Sequence, residues 1–171
     1  MVKGHKEKIL VGIDPGKQGA IAYILKDGKE FHLLNLYNIP KTSKDNEYKI
    51  GDIATIIQQH ILYAKKHHYR IEHYLEKVST HRKGGRKAAF GFGYGYGMLK
   101  GGLGTLGIAP TPVLPVTWKR AFSIKEKEQA KPKARRAVKG IAAYIKENKN
   151  RLRSLRIDQA EAMLIAVSQY K

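Results

Sequence analysis

From residue 9 onward, two rhythms of apolar residues alternate along the chain, and the breaks between them mark its elements. Ile9-Leu10-Val11-Gly12-Ile13 is a continuous apolar run that ends in Asp14; Pro15-Gly16 then turns the chain toward a second run, Ala20 to Ile24. Short apolar runs bounded by turn residues predict buried strands, and the glycine-rich return predicts a hairpin. Glu30 to Ile39 alternates apolar and polar positions and stops at Pro40, giving a third strand and an antiparallel meander. After a polar stretch from Lys41 to Lys49, Ile53, Ile56, Ile57, Ile61 and Ala64 recur at helical spacing. Asp52 is expected to open this helix, and Lys65-Lys66-His67-His68 to close it. Arg70 to Val78 predicts a fourth strand, followed by a basic, loop-like segment from Ser79 to Lys87.

The stretch from Ala88 to Gly107 is ambiguous. Glycines punctuate Phe90, Phe92, Tyr94, Tyr96, Met98 and Leu99. Glycine costs about 1 kcal/mol against alanine inside a helix, which argues for a loop. The alternative is a helix whose glycines let it approach another backbone. Ala109 to Val116 is β-like, its prolines suiting a sheet edge, and Thr117 to Phe122 suits one helical turn. A helix is expected from Pro132, with Ala134, Ala137, Val138, Ile141, Ala142 and Ile145 as its apolar stripe. A basic linker, Lys149 to Arg156, leads to a last helix, Asp158 to Tyr170, apolar almost all round and therefore buried. No internal repeat is evident. The order of elements predicts an α/β fold whose sheet joins an antiparallel meander to parallel crossovers, in one domain covering residues 1–171.

Charge changes the picture most. The chain has 33 Lys and Arg against 14 Asp and Glu, a net charge of +19 over 171 residues. Such a field favours a polyanion, either nucleic acid or an anionic membrane surface. No apolar run approaches the roughly 20 residues of a membrane span, and the basic start Met1 to Lys6 lacks the features of a signal peptide. With no cysteine, disulfides, cysteine-ligated zinc and thiol chemistry are excluded. A soluble, intracellular, nucleic-acid-binding protein is expected, cytoplasmic or nucleoid-associated if the source is a prokaryote or a phage.

Four acids, Asp14, Glu76, Asp158 and Glu161, sit in or beside apolar elements. Asp14 ends a buried strand, where a lone carboxylate is costly unless paired or bound to metal, although an Asp-Pro-Gly turn can also use such a side chain. Asp158 and Glu161, three residues apart, share one helix face; alternatively they form a capping box. If the four converge, their repulsion calls for divalent cations. Mg²⁺ prefers such oxygen ligands. Two ions about 3.5–4 Å apart support both the attacking water and the leaving oxygen of phosphodiester cleavage.

These motifs carry a resemblance. Val11-Gly12-Ile13-Asp14-Pro15-Gly16 resembles the opening motif of the RuvC-type Holliday junction resolvases. Tyr74-Leu75-Glu76-Lys77-Val78 resembles their second acidic strand, and Asp158-Gln159-Ala160-Glu161-Ala162-Met163-Leu164-Ile165-Ala166 their C-terminal acidic helix. The run Phe90 to Gly101, followed by Val113 to Lys119, is similar to the phage and organellar-like branch, where it forms a helix and the next strand; this favours a helix for the glycine-rich stretch. The resemblance implies an RNase H-like fold with a mixed five-stranded sheet flanked by helices. It implies a homodimer that nicks four-way DNA junctions symmetrically with two Mg²⁺ ions per site, Mn²⁺ substituting, and leaves 5′-phosphate and 3′-hydroxyl ends. Asp14, Glu76, Asp158 and Glu161 would be the catalytic metal ligands. Glu161 departs from the usual Asp, and Glu72 is the fallback if the strand register differs. Lys119 resembles a family lysine beside the active centre, or is a surface lysine next to a buried Trp118.

His81, Arg82, Lys83, Arg86 and Lys87, directly after Glu76, are the first candidates for DNA contact; Lys131, Lys133, Arg135, Arg136 and Lys139 are the second. Phosphate contacts position DNA without reading sequence and weaken with salt. The aromatic side chains from 90 to 96 suit packing in a core or dimer interface, or stacking on bases of an opened junction. A two-fold dimer matches the near two-fold symmetry of a junction. A nuclease for flaps or forks would share every carboxylate, and an architectural DNA-binding protein would share only the basic surface. An actin-like ATPase would need a second phosphate loop that is absent.

Overall fold

The computed structural model describes residues 7–16, 18–44, 47–77 and 85–171. Strands β1 (Lys8–Asp14), β2 (Ala20–Asp27) and β3 (Glu30–Asn38) form the antiparallel meander. Helix α1 (Ile50–Lys66) leads into β4 (Arg70–Glu76), which lies parallel to β1, and α2 (Gly85–Thr105) into the short β5 (Thr111–Val113). Helices α3 (Pro115–Ala121), α4 (Ala130–Ala137), α5 (Ile141–Glu147) and α6 (Ile157–Val167) complete the chain. The sheet order is β3-β2-β1-β4-β5, with β5 pairing parallel to β4 at the edge.

Strand β1 is apolar from Ile9 to Ile13 because it is buried on both faces. Ile9, Val11 and Ile13 join Ile21, Tyr23, Ile53, Ile57, Leu99 and Leu103 in the core under α1 and α2. Leu10 faces the other way, with Ala20, Ala22 and Ile24, into a second core closed by α4 and α6. Ala20 and Ala22 on this face are small, and at Gly12 α6 comes close to the strand backbone. A Cβ there would lie 1.9 Å from the carbonyl oxygen of Ala162 and 2.9 Å from the backbone nitrogen of Ala166. That contact sets the height of α6 above the strand ends.

Several boundaries differ from the sequence expectation. Helix α1 begins at Ile50, which leaves Asp52 in its first turn, where a negative charge suits the helix dipole. Residues 85–87 belong to α2 rather than to a loop. In α2, Gly95 and Gly102 make room for the side chains of Tyr48 and Ile50, whereas Gly91, Gly93, Gly97, Gly101 and Gly104 face open space. The single helix expected from Pro132 is two, α4 and α5. Val138 is extended, and Lys139 pairs with β3, donating its N–H to Phe31 (2.8 Å) and accepting from Leu33 (3.0 Å). Gly140 then takes a left-handed conformation (φ +84°) that a side chain would strain. The apolar spacing runs unbroken through the break because Val138 and Ile141 are both buried. Among the described residues no helix is long and apolar enough to cross a membrane.

Candidate active site

The parallel register pairs Ile13 with Leu75, so Asp14 and Glu76 follow side by side at the ends of the two central strands. Residues two apart on a strand share a face, which puts Asp14 on the side of Gly12, beneath α6. Both carboxylates are buried, at 4% and 6% exposure. Helix α6 starts over these strand ends and carries Asp158 in its first turn and Glu161 one turn later.

The electrostatics tie the four together. Burial pushes the Asp14 carboxyl well above the usual carboxylate range. The charges of Glu76 and Glu161 raise it further and that of Asp158 adds to them, while the N–H of Gly16, 2.8 Å from Oδ1, acts the other way. Burial also raises Glu161, as do Glu76 and Asp158, against the opposing pull of Lys119 and Lys127. Besides the Gly16 N–H on Asp14, two more of the carboxylates have supports of their own. The Nε1–H of Trp118, fully buried on α3, donates to Oε1 of Glu76 at 2.9 Å. Arg156 spans Asp158, with Nη2 2.9 Å from Oδ2 and Nε 3.3 Å from Oδ1. Its Nη2 also donates to Oε1 of Gln18, in the turn after Asp14. The hydroxyl of Tyr48 holds that turn, donating to the Pro15 carbonyl at 2.7 Å.

The capping-box alternative for Asp158 and Glu161 is overturned. Arg156 is the N-cap of α6, and Gln159, through Oε1, accepts its backbone N–H at 3.0 Å. Neither acid is needed to close the helix. The fallback Glu72 is engaged elsewhere: Lys8 donates to it at 2.8 Å, and the hydroxyls of Tyr74 and Tyr170 also donate to it.

The basic candidates separate. Lys119 is half-buried, its Nζ 5.3 Å from the centre of the Trp118 ring, and acts on Glu161. Arg86 is exposed in the first turn of α2. His81, Arg82 and Lys83 lie outside the described residues, as does the side chain of Lys87. On α4, Arg135 and Arg136 are exposed, and Lys131 and Lys133 half-buried. Lys139 stands apart, off the helix and paired with Glu30. Asp14 aligns across the sheet with Asn38, and Lys139 with Phe31 to Leu33. At about 3.3 Å per residue, Lys139 is roughly 20 Å along the sheet from Asp14. Phe90 and Tyr94 are exposed and stacked on each other, which removes them from the core.

Carboxylate oxygens alone suit a hard divalent cation such as Mg²⁺ or Mn²⁺, so the chemistry of the donor set fits. Among the described residues, no group of three or more His, Asp or Glu side chains is gathered closely enough to hold one ion. Gly16, Trp118 and Arg156 each hold one of the carboxylates: Asp14, Glu76 and Asp158 respectively. Sequence reasoning missed Arg156 and Gln18, the donor role of Trp118, and Lys127. Arg156 was hidden in a run of basic residues, and nothing in the local sequence joins Trp118 to a strand 42 residues earlier.

No protein-family model matches the chain, and no curated protein matches it in sequence. Solved structures do. Thermus thermophilus RuvC in complex with a Holliday junction substrate superposes with a TM-score of 0.60 at 16% identity, covering 94% of this chain and 91% of that one. The chain has the RuvC fold. A second structure of Thermus thermophilus RuvC gives 0.58 at 16% identity, covering 94% and 92%. The yeast mitochondrial Holliday junction resolvase Ydc2 gives 0.51 at 18% identity, covering 92% of this chain and 75% of that one. The likeness is one of fold, with little sequence in common. The mixed sheet of meander and parallel strands is the one expected from the order of elements, and its RNase H-like form the one that the resemblance implied.

Proposed function

We propose that this protein is a metal-dependent endonuclease that resolves four-way DNA junctions by paired symmetric nicks, as a homodimer of single nuclease domains. The observation that carries the proposal is the set of mutually repelling carboxylates that α6 and the ends of β1 and β4 bring near one another, on a chain of net charge +19. A purely architectural DNA-binding protein gains nothing from burying Asp14 beside Glu76. Two divalent cations held by Asp14, Glu76, Asp158 and Glu161 would supply charge neutralisation for the attacking water and the leaving 3′ oxygen.

The chain's own residues do the rest. Asp14 is aimed by the Gly16 N–H and Glu76 by the Trp118 indole, so neither carboxylate has to search for its orientation. Lys119 and Lys127 put positive charge beside Glu161, where a phosphate would enter. Arg86 and the cations of α4 hold the flanking backbone. The exposed Phe90–Tyr94 stack offers apolar surface to a second subunit or to an unstacked base.

The test is cleavage of a synthetic four-way junction against a flap and a linear duplex, with Mg²⁺, with Mn²⁺ and with chelator. Paired, metal-dependent nicks confined to the junction are expected. Faster cutting of the flap would transfer the activity to branched DNA of another kind. Tight junction binding with no cutting in either metal would overturn the enzyme.

A further inference from the structure

Arg156 is a positively charged support that already holds a proposed metal ligand, Asp158, and so competes with the proposed cations for it. Its guanidinium takes both oxygens of Asp158, at 2.9 and 3.3 Å, and reaches across to Gln18. A carboxylate bound in this bidentate way has its best lone pairs occupied. The Arg156 side chain is 33% exposed against 15% for Asp158, so the guanidinium can leave toward solvent while the carboxylate stays. Arg156 is also the N-cap of α6, held through its backbone N–H by Gln159, so its side chain can move without unwinding the helix. Gln18 belongs to the turn that follows Asp14, so one guanidinium links α6 to the β1–β2 turn.

We infer that Arg156 is a counter-ion built into the site: it holds Asp158 in the cation-free protein and is displaced when a divalent cation takes that carboxylate. The inference rests on the proposed metal ligands. Displacement also breaks the link to Gln18, and it leaves an unpaired guanidinium, a fork suited to a phosphate oxygen pair, at the mouth of the site. Cation binding and readiness for the DNA backbone become one event.

The experiment is Mn²⁺ binding without DNA, followed by the electron paramagnetic resonance of the free ion, for the wild type, Arg156→Gln and Arg156→Lys. Removing a charge-assisted pair at a half-exposed position should tighten Mn²⁺ binding about tenfold in Arg156→Gln. Arg156→Lys keeps the charge but loses the fork, so it should also bind more tightly than the wild type. Equal affinity in all three proteins would overturn the inference. So would a lysine variant indistinguishable from the wild type, which would reduce the effect to distant charge, or weaker binding in both variants, which would make Arg156 a support for Asp158 as a ligand. Mn²⁺ binding by none of them would overturn the proposed metal site and the inference with it. Should Arg156→Gln fail to fold, Gln18→Ala removes the outer bond of the guanidinium. It should tighten binding in the same direction, and unchanged affinity would count against the inference.

Discussion

Replacing Gly12 by alanine introduces one carbon where α6 leaves no room. The new Cβ would stand 1.9 Å from the carbonyl oxygen of Ala162 and 2.9 Å from both N and Cβ of Ala166. Close carbon–oxygen contacts begin at about 3.3 Å, so the helix has to retreat by roughly 1.4 Å, and both obstacles include backbone. Overpacking of this kind costs about 3 kcal/mol, the upper part of the usual range. For a chain of this length that corresponds to a melting temperature lower by about 6–12 °C. Ala162 adjoins Glu161, so the retreat also carries that carboxylate away from Asp14, and a 1 Å misplacement costs on the order of a hundredfold in rate. Urea denaturation and junction cleavage per folded molecule measure the two effects separately. Gly97→Ala is the control: nothing lies within 4 Å of its added Cβ, on the open side of α2, and alanine there should raise stability by up to about 1 kcal/mol. A Gly12→Ala protein as stable as the wild type would refute the packing argument. A destabilised one that cuts at the wild-type rate per folded molecule would refute the link between α6 and the site.

Trp118→Phe keeps most of a buried side chain but removes the N–H that Glu76 accepts. Cleavage should fall ten- to a hundredfold, matching the roughly 1.5–3 kcal/mol of a hydrogen bond to a charged group, with the circular dichroism spectrum unchanged; wild-type cleavage would contradict the role of the indole. The raised Asp14 and Glu161 carboxyls make a pH prediction. Their stability is fully present below the ordinary carboxylate range. As pH rises through about 4, the unfolded chain releases protons that the folded protein still holds, so stability falls with pH in the presence of chelator. Near neutral pH, Asp14→Asn should therefore melt higher than the wild type in chelator and gain less from added Mg²⁺. Equal melting profiles for the two proteins across pH would contradict the repulsion at the site.

The fold was legible because its central elements are buried on more than one side. Strand β1 shows as an unbroken apolar run, and α6 as a helix apolar almost all round, for the same physical reason. The glycine-rich α2 was legible only through resemblance, since its composition argues for a loop and its helix is supported at Gly95 and Gly102 by fits to Tyr48 and Ile50. The break at Val138 to Gly140 was missed because its cause, a bridge from Lys139 to β3, joins residues more than a hundred positions apart. The same holds for the site. Apolar neighbours flagged all four acids, but their partners were invisible: Trp118 reaches Glu76 across 42 positions, and Arg156 reaches Gln18 across 138. Local sequence also could not separate Lys139 from the cations of α4, because the kink that carries it away comes from tertiary pairing.

The central claim is that Asp14, Glu76, Asp158 and Glu161 act together on phosphodiester bonds. Its most direct measurement is junction cleavage in Mg²⁺ by Asp14→Asn, Glu76→Gln, Asp158→Asn and Glu161→Gln, with junction binding followed in parallel and Glu72→Gln as the control. The account predicts that each of the four loses cleavage yet binds the junction at least as tightly as the wild type, while Glu72→Gln cuts normally. Wild-type cleavage by any of the four, or loss of cutting in Glu72→Gln at undiminished stability, would contradict it.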